Sequence, residues 1–535
     1  MGRTPRIACL DTAVAMPDGT SLATDVIVPD DGERHPVILM RTPYGRASVR
    51  ARHDAIGLAR LGFAVVAQDV RGRWDSAGTF SPFRDERSDG AHTIAWCAAQ
   101  PWSNGVVAMV GGSYNGFTQW LAAAARPPAL RAIAPAVAGP TIRDVVYEGG
   151  ALQLGVFTSW TLGIGALGSN LDAAIVKASI NDLDTWPASV ANGIEQSTLT
   201  RISPDWVRWL DPHDESFWAP LDAARDLSRN DPTLPEQPAG YHLAGWHDLF
   251  CEATIRGYQL LTGEGIDERV RSRQRLVIGP WAHATMLQRT TGFLDFGVAA
   301  QGDFNGLFEE QVGFVTHSLT GRDVPNGVRI FVMGSNRWLD LPDWPPPTTT
   351  TSLYLGDQGT LRWSAPEETG CDRYHHDPSD PVPTHGGRTL HPVPPPAGPL
   401  DQRPIEERPD VLTYTSDPLE RDLTIVGPVR AHLVFSSSAE VADVAVRLLD
   451  VHPDGRSMLV VDSIRRVHTT PGQAASVDVE VGSTALRFAA GHRIRVLVSS
   501  SNYPRFDMSP RADQSLHHGG RTASRIDLPV YAGLS

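Results

Sequence analysis

Residues 111–116 read Gly-Gly-Ser-Tyr-Asn-Gly, directly after the apolar run Val106 to Val110 (VVAMV) and before a helical stretch that begins near Phe117. A serine at so sharp a strand-to-helix bend projects its hydroxyl clear of the backbone, and the bend demands small neighbours where strand and helix converge. The helix N-terminus beneath it favours negative charge developing nearby. The pattern G-x-S-x-x-G also occurs in ordinary glycine-rich turns, so the flanking elements carry the argument. They single out Ser113 as a candidate nucleophile.

A nucleophilic serine needs an imidazole to take its proton and a carboxylate to orient that imidazole. Two downstream segments supply them at the ends of strand-like runs. Asp248 lies in AGWHD after YHLA, and His283 lies in GPWAH after RLVIG. The order serine, acid, histidine is the order of the α/β-hydrolase arrangement. His247 is a rival base, but it precedes the acid and leaves the later strand without a role. An acyl-transfer oxyanion also needs fixed donors. The Tyr114 N–H, just after the nucleophile, is one. The hydroxyl of Tyr44, in RTPYG after the run PVILM, is placed to be the other.

The elements that must hold these groups are legible as periodicity. Pro36 to Met40, Gly62 to Ala67, Val106 to Val110 and Leu130 to Val137 read as strands, with helical spacing over Ala51 to Leu61 and Gly90 to Ala99. Alternation of this kind predicts a doubly wound parallel sheet with its ligand site at the strand carboxyl ends. From about Thr141 to Pro238 the pattern changes to helices without strands, an insertion that would cap the site. Strand signals return at Gly240 to Ala244 and Gln274 to Ile278. Beyond Trp338, short alternating runs at Thr351 to Leu355, Val429 to Phe435, Val441 to Leu449, Ser476 to Val481 and Arg493 to Ser499 predict a β-sandwich. The Pro-rich HPVPPPAGP at 391–399 reads as a loop or a segment bridging domains. The expected division is a hydrolase core over 1–140 and 239–340, a helical cap over 141–238 and a C-terminal β domain over 341–535.

Composition bounds the remaining functions. A chain of 535 residues exceeds what one core organises, and its 41% hydrophobic content argues against disorder. The formal net charge of −14 is spread along the length and offers polyanions no attraction, so nucleic acid is not an expected partner. The segment MGRTPRIACLDTAVAMPDG lacks the apolar core of a signal peptide, and no run reaches the roughly 20 apolar residues that span a bilayer. Cys9, Cys97, Cys251 and Cys371 are scattered, as free thiols in a reducing compartment would be. The expectation is a cytoplasmic protein with no membrane partner. The pairs His375-His376, followed by Asp377, and His517-His518 lack a further ligand at metal-site spacing, and no P-loop or dinucleotide fingerprint stands in proper context. No cofactor and no metal are expected.

Taken together, RTPYG at 41–45, QDVRGRWDSAG at 68–78, QPWSNGVVAMVGGSYNG at 100–116, AGWHD at 244–248 and GPWAH at 279–283 resemble the cocaine esterase family, which is itself similar to Xaa-Pro dipeptidyl peptidases and α-amino acid ester hydrolases. Further likeness at FVTHSLTG (314–321), VMGSNRW (332–338) and SSSNYPRF (499–506) extends it over most of the chain. The spacing G-x-S-Y-x-G is that family's own. The resemblance implies an α/β-hydrolase core, a helical cap and a C-terminal jelly-roll. It also implies an oxyanion hole from Tyr44 and the Tyr114 amide, and an acyl pocket lined by Trp160 and Phe250. Asp69, Arg71 and Arg73 are read as stabilising a loop beside the site by ion pairing and hydrogen bonding.

The expected activity is hydrolysis of small-molecule carboxylic esters through an acyl-enzyme. Amide cleavage stays open as the alternative, with Asp144, Glu148 and Asp182 available to meet a substrate amine. A non-catalytic binding protein on a hydrolase scaffold and a homo-oligomeric state also stay open.

Overall fold

The computed structural model describes residues 6–167, 199–200, 203–229, 231, 233–390, 395–520 and 523–534. Asp182, much of the expected cap and residues 391–394 of the Pro-rich segment lie outside them.

Strands β1 (Ile7–Ala15) and β2 (Ser21–Pro29) form an antiparallel hairpin, and β2 pairs antiparallel with β4 (Ala64–Asp69). From β4 the sheet runs parallel through β3 (His35–Thr42), β5 (Ser103–Gly112) and β6 (Leu130–Ala136). A small hairpin, β7 (Tyr147–Glu148) and β8 (Ala151–Leu152), lies in the inserted segment. The parallel ladder resumes with β9 (Ala239–Gly245) and β10 (Gln274–Gly279). After a short hairpin of β11 (Thr290–Thr291) and β12 (Leu294–Asp295), β13 (Gly327–Val332) joins β10, and antiparallel β14 (Arg337–Leu341) closes the edge. The order is β1-β2-β4-β3-β5-β6-β9-β10-β13-β14. Every residue of β4, β9 and β10 is buried, as expected of central strands covered on both faces.

Two expectations needed correction here. The single helix read over Ala51 to Leu61 is two helices, α1 (Arg46–Arg52) and α2 (Ala55–Arg60). Asp54 breaks them apart in a left-handed conformation (φ 44°), and its carboxylate accepts from the Gly57 N–H at 3.1 Å to start the second helix. The inserted segment is not purely helical either. It contains the β7/β8 hairpin beside α5 (Arg143–Val146) and α6 (Leu154–Ala166). The antiparallel edges β1, β2 and β14 carried no reading from the sequence.

Between β4 and β5 lies α3 (Glu86–Ala98), and between β5 and β6 lies α4 (Tyr114–Ala124), whose eleven residues are all buried. A helix covered on every side needs small residues, and α4 ends in Leu-Ala-Ala-Ala. Residues 349–530 build the C-terminal β domain, from β15 (Thr349–Gly356) to β25 (Arg525–Val530). It is an eleven-stranded system among the described residues, of jelly-roll type. One hydrophobic cluster unites Ala244, Ile255 and Ile278 of the hydrolase part with Leu353, Val429 and Val481 of the β domain. The two parts share apolar core and do not hang on a linker. Among the described residues, no helix is long and apolar enough to cross a membrane.

Candidate active site

The bend after β5 is as tight as its sequence requires. Ser113 itself adopts φ 58° and ψ −129°, a strained conformation for a residue with a side chain. Its N–H donates to Ala136 O at 2.9 Å, which ties the bend to β6. Helix and strand meet closely here: a Cβ on Gly116 would stand 2.5 Å from the Ala138 Cβ. Gln119 of α4 reinforces the junction. It donates to Gly111 O at 2.9 Å and accepts from the Ala134 N–H at 2.9 Å.

Asp248 and His283 arrive from the ends of β9 and β10. The Asp248 carboxylate is fully buried and accepts from the Phe250 N–H at 2.7 Å and from His283 Nδ1 at 2.6 Å. His283 Nε2 stands 3.1 Å from Ser113 Oγ. With the Nδ1 proton held by the carboxylate, Nε2 is left as an acceptor facing the serine hydroxyl. The three residues named from sequence therefore meet in one hydrogen-bonded chain. His247 does not join them. It is buried beside Phe296, ring centroids 6.4 Å apart, and burial pushes its pKa down to about 3.

Tyr44 follows β3, and its hydroxyl accepts from Trp160 Nε1 at 3.0 Å. Trp160 takes one of the oxygen's two lone pairs, and the phenolic proton is not used in that bond. Burial raises the Tyr44 pKa, so that proton is retained. The Tyr114 N–H belongs to the first residue of α4 and has no intrahelical acceptor one turn earlier. Both proposed oxyanion donors flank the nucleophile.

The side chain of Tyr114 has a second task that sequence reasoning missed. Its hydroxyl donates to Glu86 Oε1 at 2.9 Å and accepts from the Phe83 N–H at 2.9 Å. Glu86 in turn forms a buried ion pair with Arg41, whose Nε donates to Gln68 at 2.8 Å. Burial is the main cause of the raised Glu86 pKa, opposed by Arg41. Glu86, Arg41 and Gln68 each look like ordinary polar positions in the text, and no spacing marks them. Only their convergence beneath Tyr114 does.

Trp160 and Phe250 both pack against residues of the site, in different ways. Trp160 lies parallel to Tyr114 and Phe83 at centroid distances of 5.9 and 6.1 Å. Phe250 packs edge-on against His283 at 5.6 Å and against Phe117 at 5.4 Å. The loop beside the site holds itself together largely as expected. Asp69 pairs with Arg46 at 2.6 Å, and Arg71 pairs with Asp89 at 2.7 Å and Asp18 at 2.6 Å. Arg73 acts by hydrogen bonding: it donates to the Pro43 carbonyl at 3.3 Å and to that of Leu167, and its guanidinium sits over Phe80. Of the acids considered for a substrate amine, Glu148 is paired with Arg505 at 2.8 Å, and Asp144 lies on α5. The paired histidines are separately engaged: His375 with Asp513, His376 with Ser509 O, His517 with Ser436, and His518 with Asp372.

A strained serine at a strand-to-helix elbow, facing an imidazole and a buried carboxylate from later strand ends, defines a serine hydrolase on the α/β-hydrolase fold. Residues 18–285 match the family model of the X-Pro dipeptidyl-peptidases (S15 family), and residues 321–527 match the X-Pro dipeptidyl-peptidase C-terminal non-catalytic domain. The chain is 34% identical to the cocaine esterase of Rhodococcus sp. (strain MB1 Bresler), with 97% of each covered. Among solved structures it resembles an aminopeptidase from a marine sediment Thaumarchaeota archaeon (TM-score 0.83, 24% identity, 99% of this chain and 98% of that one). An α-amino acid ester hydrolase is similar to the same degree (TM-score 0.82, 24% identity, 99% and 98%). The chain belongs to the S15 family and is a serine hydrolase of the esterase kind.

Proposed function

We propose that Ser113, His283 and Asp248 hydrolyse small carboxylic esters by a two-step acyl-enzyme route. Ser113 Oγ attacks the ester carbonyl carbon as its proton passes to His283 Nε2, and Asp248 holds the imidazolium in orientation. The carbonyl oxygen, now anionic, takes hydrogen bonds from the Tyr44 hydroxyl and the Tyr114 N–H. Collapse returns the proton to the departing alkoxide, releasing an alcohol and leaving the acyl group on Ser113. Water, deprotonated by the same imidazole, repeats the addition and frees the carboxylic acid.

The observation that carries this reading is the unbroken chain of contacts from Asp248 through His283 to Ser113, at 2.6 and 3.1 Å. Ester cleavage is favoured over aminoacyl amide cleavage by the residues around the nucleophile. They are aromatic, with Trp160 and Phe250 assigned to the acyl pocket, while Glu86 is committed to Arg41 and Tyr114. Glu148 is likewise committed, to Arg505. The four cysteines stand free, which supports a cytoplasmic setting.

A stoichiometric active-site phosphonate tests the assignment. It should label Ser113 once per chain, and Ser113→Ala should abolish both labelling and aryl-ester turnover while leaving the fold unchanged. Undiminished turnover in that variant would refute the mechanism. Turnover of aminoacyl amides in preference to aryl esters would overturn the substrate class and leave the triad standing.

A further inference from the structure

The C-terminal domain contains a second cluster of chemistry, away from Ser113. Strand β20 (Val441–Val451) and strand β23 (Arg493–Ser499) pair antiparallel, with Asp450 opposite Ile494 and Val451 opposite Arg493. Continuing that ladder by one step sets His452 across from His492. Asp450 and His452 are two residues apart, so their side chains leave the same face of the ladder. A carboxylate, its i+2 imidazole and a cross-strand imidazole are thereby gathered on one side of the sheet end.

Their geometry is that of donors converging on a point. Asp450 Oδ1 lies 2.8 Å from His492 Nδ1, Asp450 Oδ2 lies 3.5 Å from His452 Nε2, and the two imidazole centroids are 4.4 Å apart. One ligand atom from each of the three lies within 4.8 Å of the others. Two donors at tetrahedral positions around a zinc ion, each about 2.1 Å from it, stand roughly 3.4 Å apart. The cluster needs only small side-chain rotations to reach that spacing. The side chains are 10%, 22% and 16% exposed for Asp450, His452 and His492, so they are partly withdrawn from competing water.

The cluster also faces space. A cavity of about 360 Å³ between the β domain and the hydrolase part is lined by all three residues and by Met333, Phe296 and His247. His247 is buried, and its Nε2 has no hydrogen-bond partner among the described residues. An unpartnered imidazole nitrogen in a buried wall is costly unless something polar occupies the space beside it. Two groups act against a cation: Arg456, 3.4 Å from His452 Nδ1, and Arg487 on the cavity wall. Both are already paired with carboxylates, Arg456 with Asp454 at 2.8 Å and Arg487 with Asp422 at 3.0 Å.

We propose that Asp450, His452 and His492 bind one divalent transition-metal ion of the zinc class, with its remaining coordination positions open to the cavity. Two imidazoles and one carboxylate suit zinc, nickel or ferrous iron and not the oxygen-seeking calcium or magnesium. The expectation of no metal, drawn from the sequence, weighed only the adjacent-histidine pairs and the needs of the triad. The ligands proposed here join residues that lie far apart along the chain. The site plays no part in the Ser113 chemistry proposed above.

Cobalt(II) titration of the metal-stripped full-length protein tests this directly. The wild type should bind one equivalent with visible d–d absorption and nitrogen ligation, and one equivalent of zinc should displace it. Asp450→Asn keeps the shape and hydrogen bonds of the cluster, and His492→Gln removes one imidazole. Each should weaken cobalt binding by more than the roughly 10- to 100-fold that loss of an outer hydrogen-bond partner costs. Zinc should raise the melting temperature of the wild type and not of either variant, with unaltered aryl-ester turnover as the control for folding. Equal cobalt affinity and stoichiometry in the wild type and both variants, or no bound cobalt in the wild type, would overturn the proposal.

Discussion

The Tyr44 hydroxyl accepts from Trp160 Nε1 at 3.0 Å, which holds the oxygen in place beside the site. In its proposed role as oxyanion donor, its value would lie in being fixed before the oxyanion forms, because a donor that need not reorganise is worth far more in a dry site than in water. Tyr44→Phe should therefore lower kcat by about 10²- to 10³-fold with little change in KM, measured with an aryl ester. Tyr114 illustrates how little a residue's letter says about its duties. Its amide could be assigned from the motif, whereas its hydroxyl is tied down by Glu86 and Phe83 in contacts that no local pattern announces. The same holds for His247 and His283. Both follow strands, and only packing decides that one is entombed and the other faces the serine.

At the scale of elements, the elbow works because α4 is pressed against β6. A methyl group on Gly116 would meet the Ala138 Cβ at 2.5 Å and the Ala136 carbonyl oxygen at 3.1 Å, so the helix would have to move away. Gly116→Ala should cost about 1–3 kcal/mol in urea unfolding, as overpacked cores do. It should slow acylation by about 100-fold in single-turnover kinetics, because the helix carries Ser113 and the Tyr114 amide with it. The strands of the core were legible because buried parallel strands are continuous apolar runs. The break at Asp54 and the β7/β8 hairpin were not legible. The first depends on one side chain bonding to its own backbone, and the second on pairing segments too short to show a period.

Across the whole molecule, Arg388 joins the acid-bearing loop to the β domain. Its Nε donates to the Trp246 carbonyl at 2.9 Å, one terminal nitrogen pairs with Glu252 at 2.8 Å, and the other donates to the Ser483 carbonyl at 2.6 Å. Arg388→Met should lower stability by about 3–5 kcal/mol in urea unfolding, because it leaves buried acceptors without a partner. Acid stability is set at the same scale. His242 and His247 are buried neutral, with desolvation pushing their pKa values down to about 4 and about 3. An unfolded chain takes up those protons below about pH 6.5 and the folded one cannot, so stability is full above that value and is lost as pH falls toward 3–4. Between pH 7 and pH 5 the loss should be on the order of 2 kcal/mol for each imidazole in denaturant titrations. His247→Gln should remove that residue's own share of the loss, on the order of 2 kcal/mol.

The sequence by itself determined the order of the proposed reacting groups and the strand ends that carry them. Local rules suffice there: a bend that needs glycine, an apolar strand and a polar residue just past it are all written in neighbouring letters. Tertiary structure alone decided which carboxylates are free and which are committed, as with Glu86 and Glu148. It alone decided that the β domain shares core with the hydrolase sheet, and that Asp450 meets His492. Those outcomes depend on contacts between residues distant along the chain, where burial and pairing set the chemistry and composition leaves no trace.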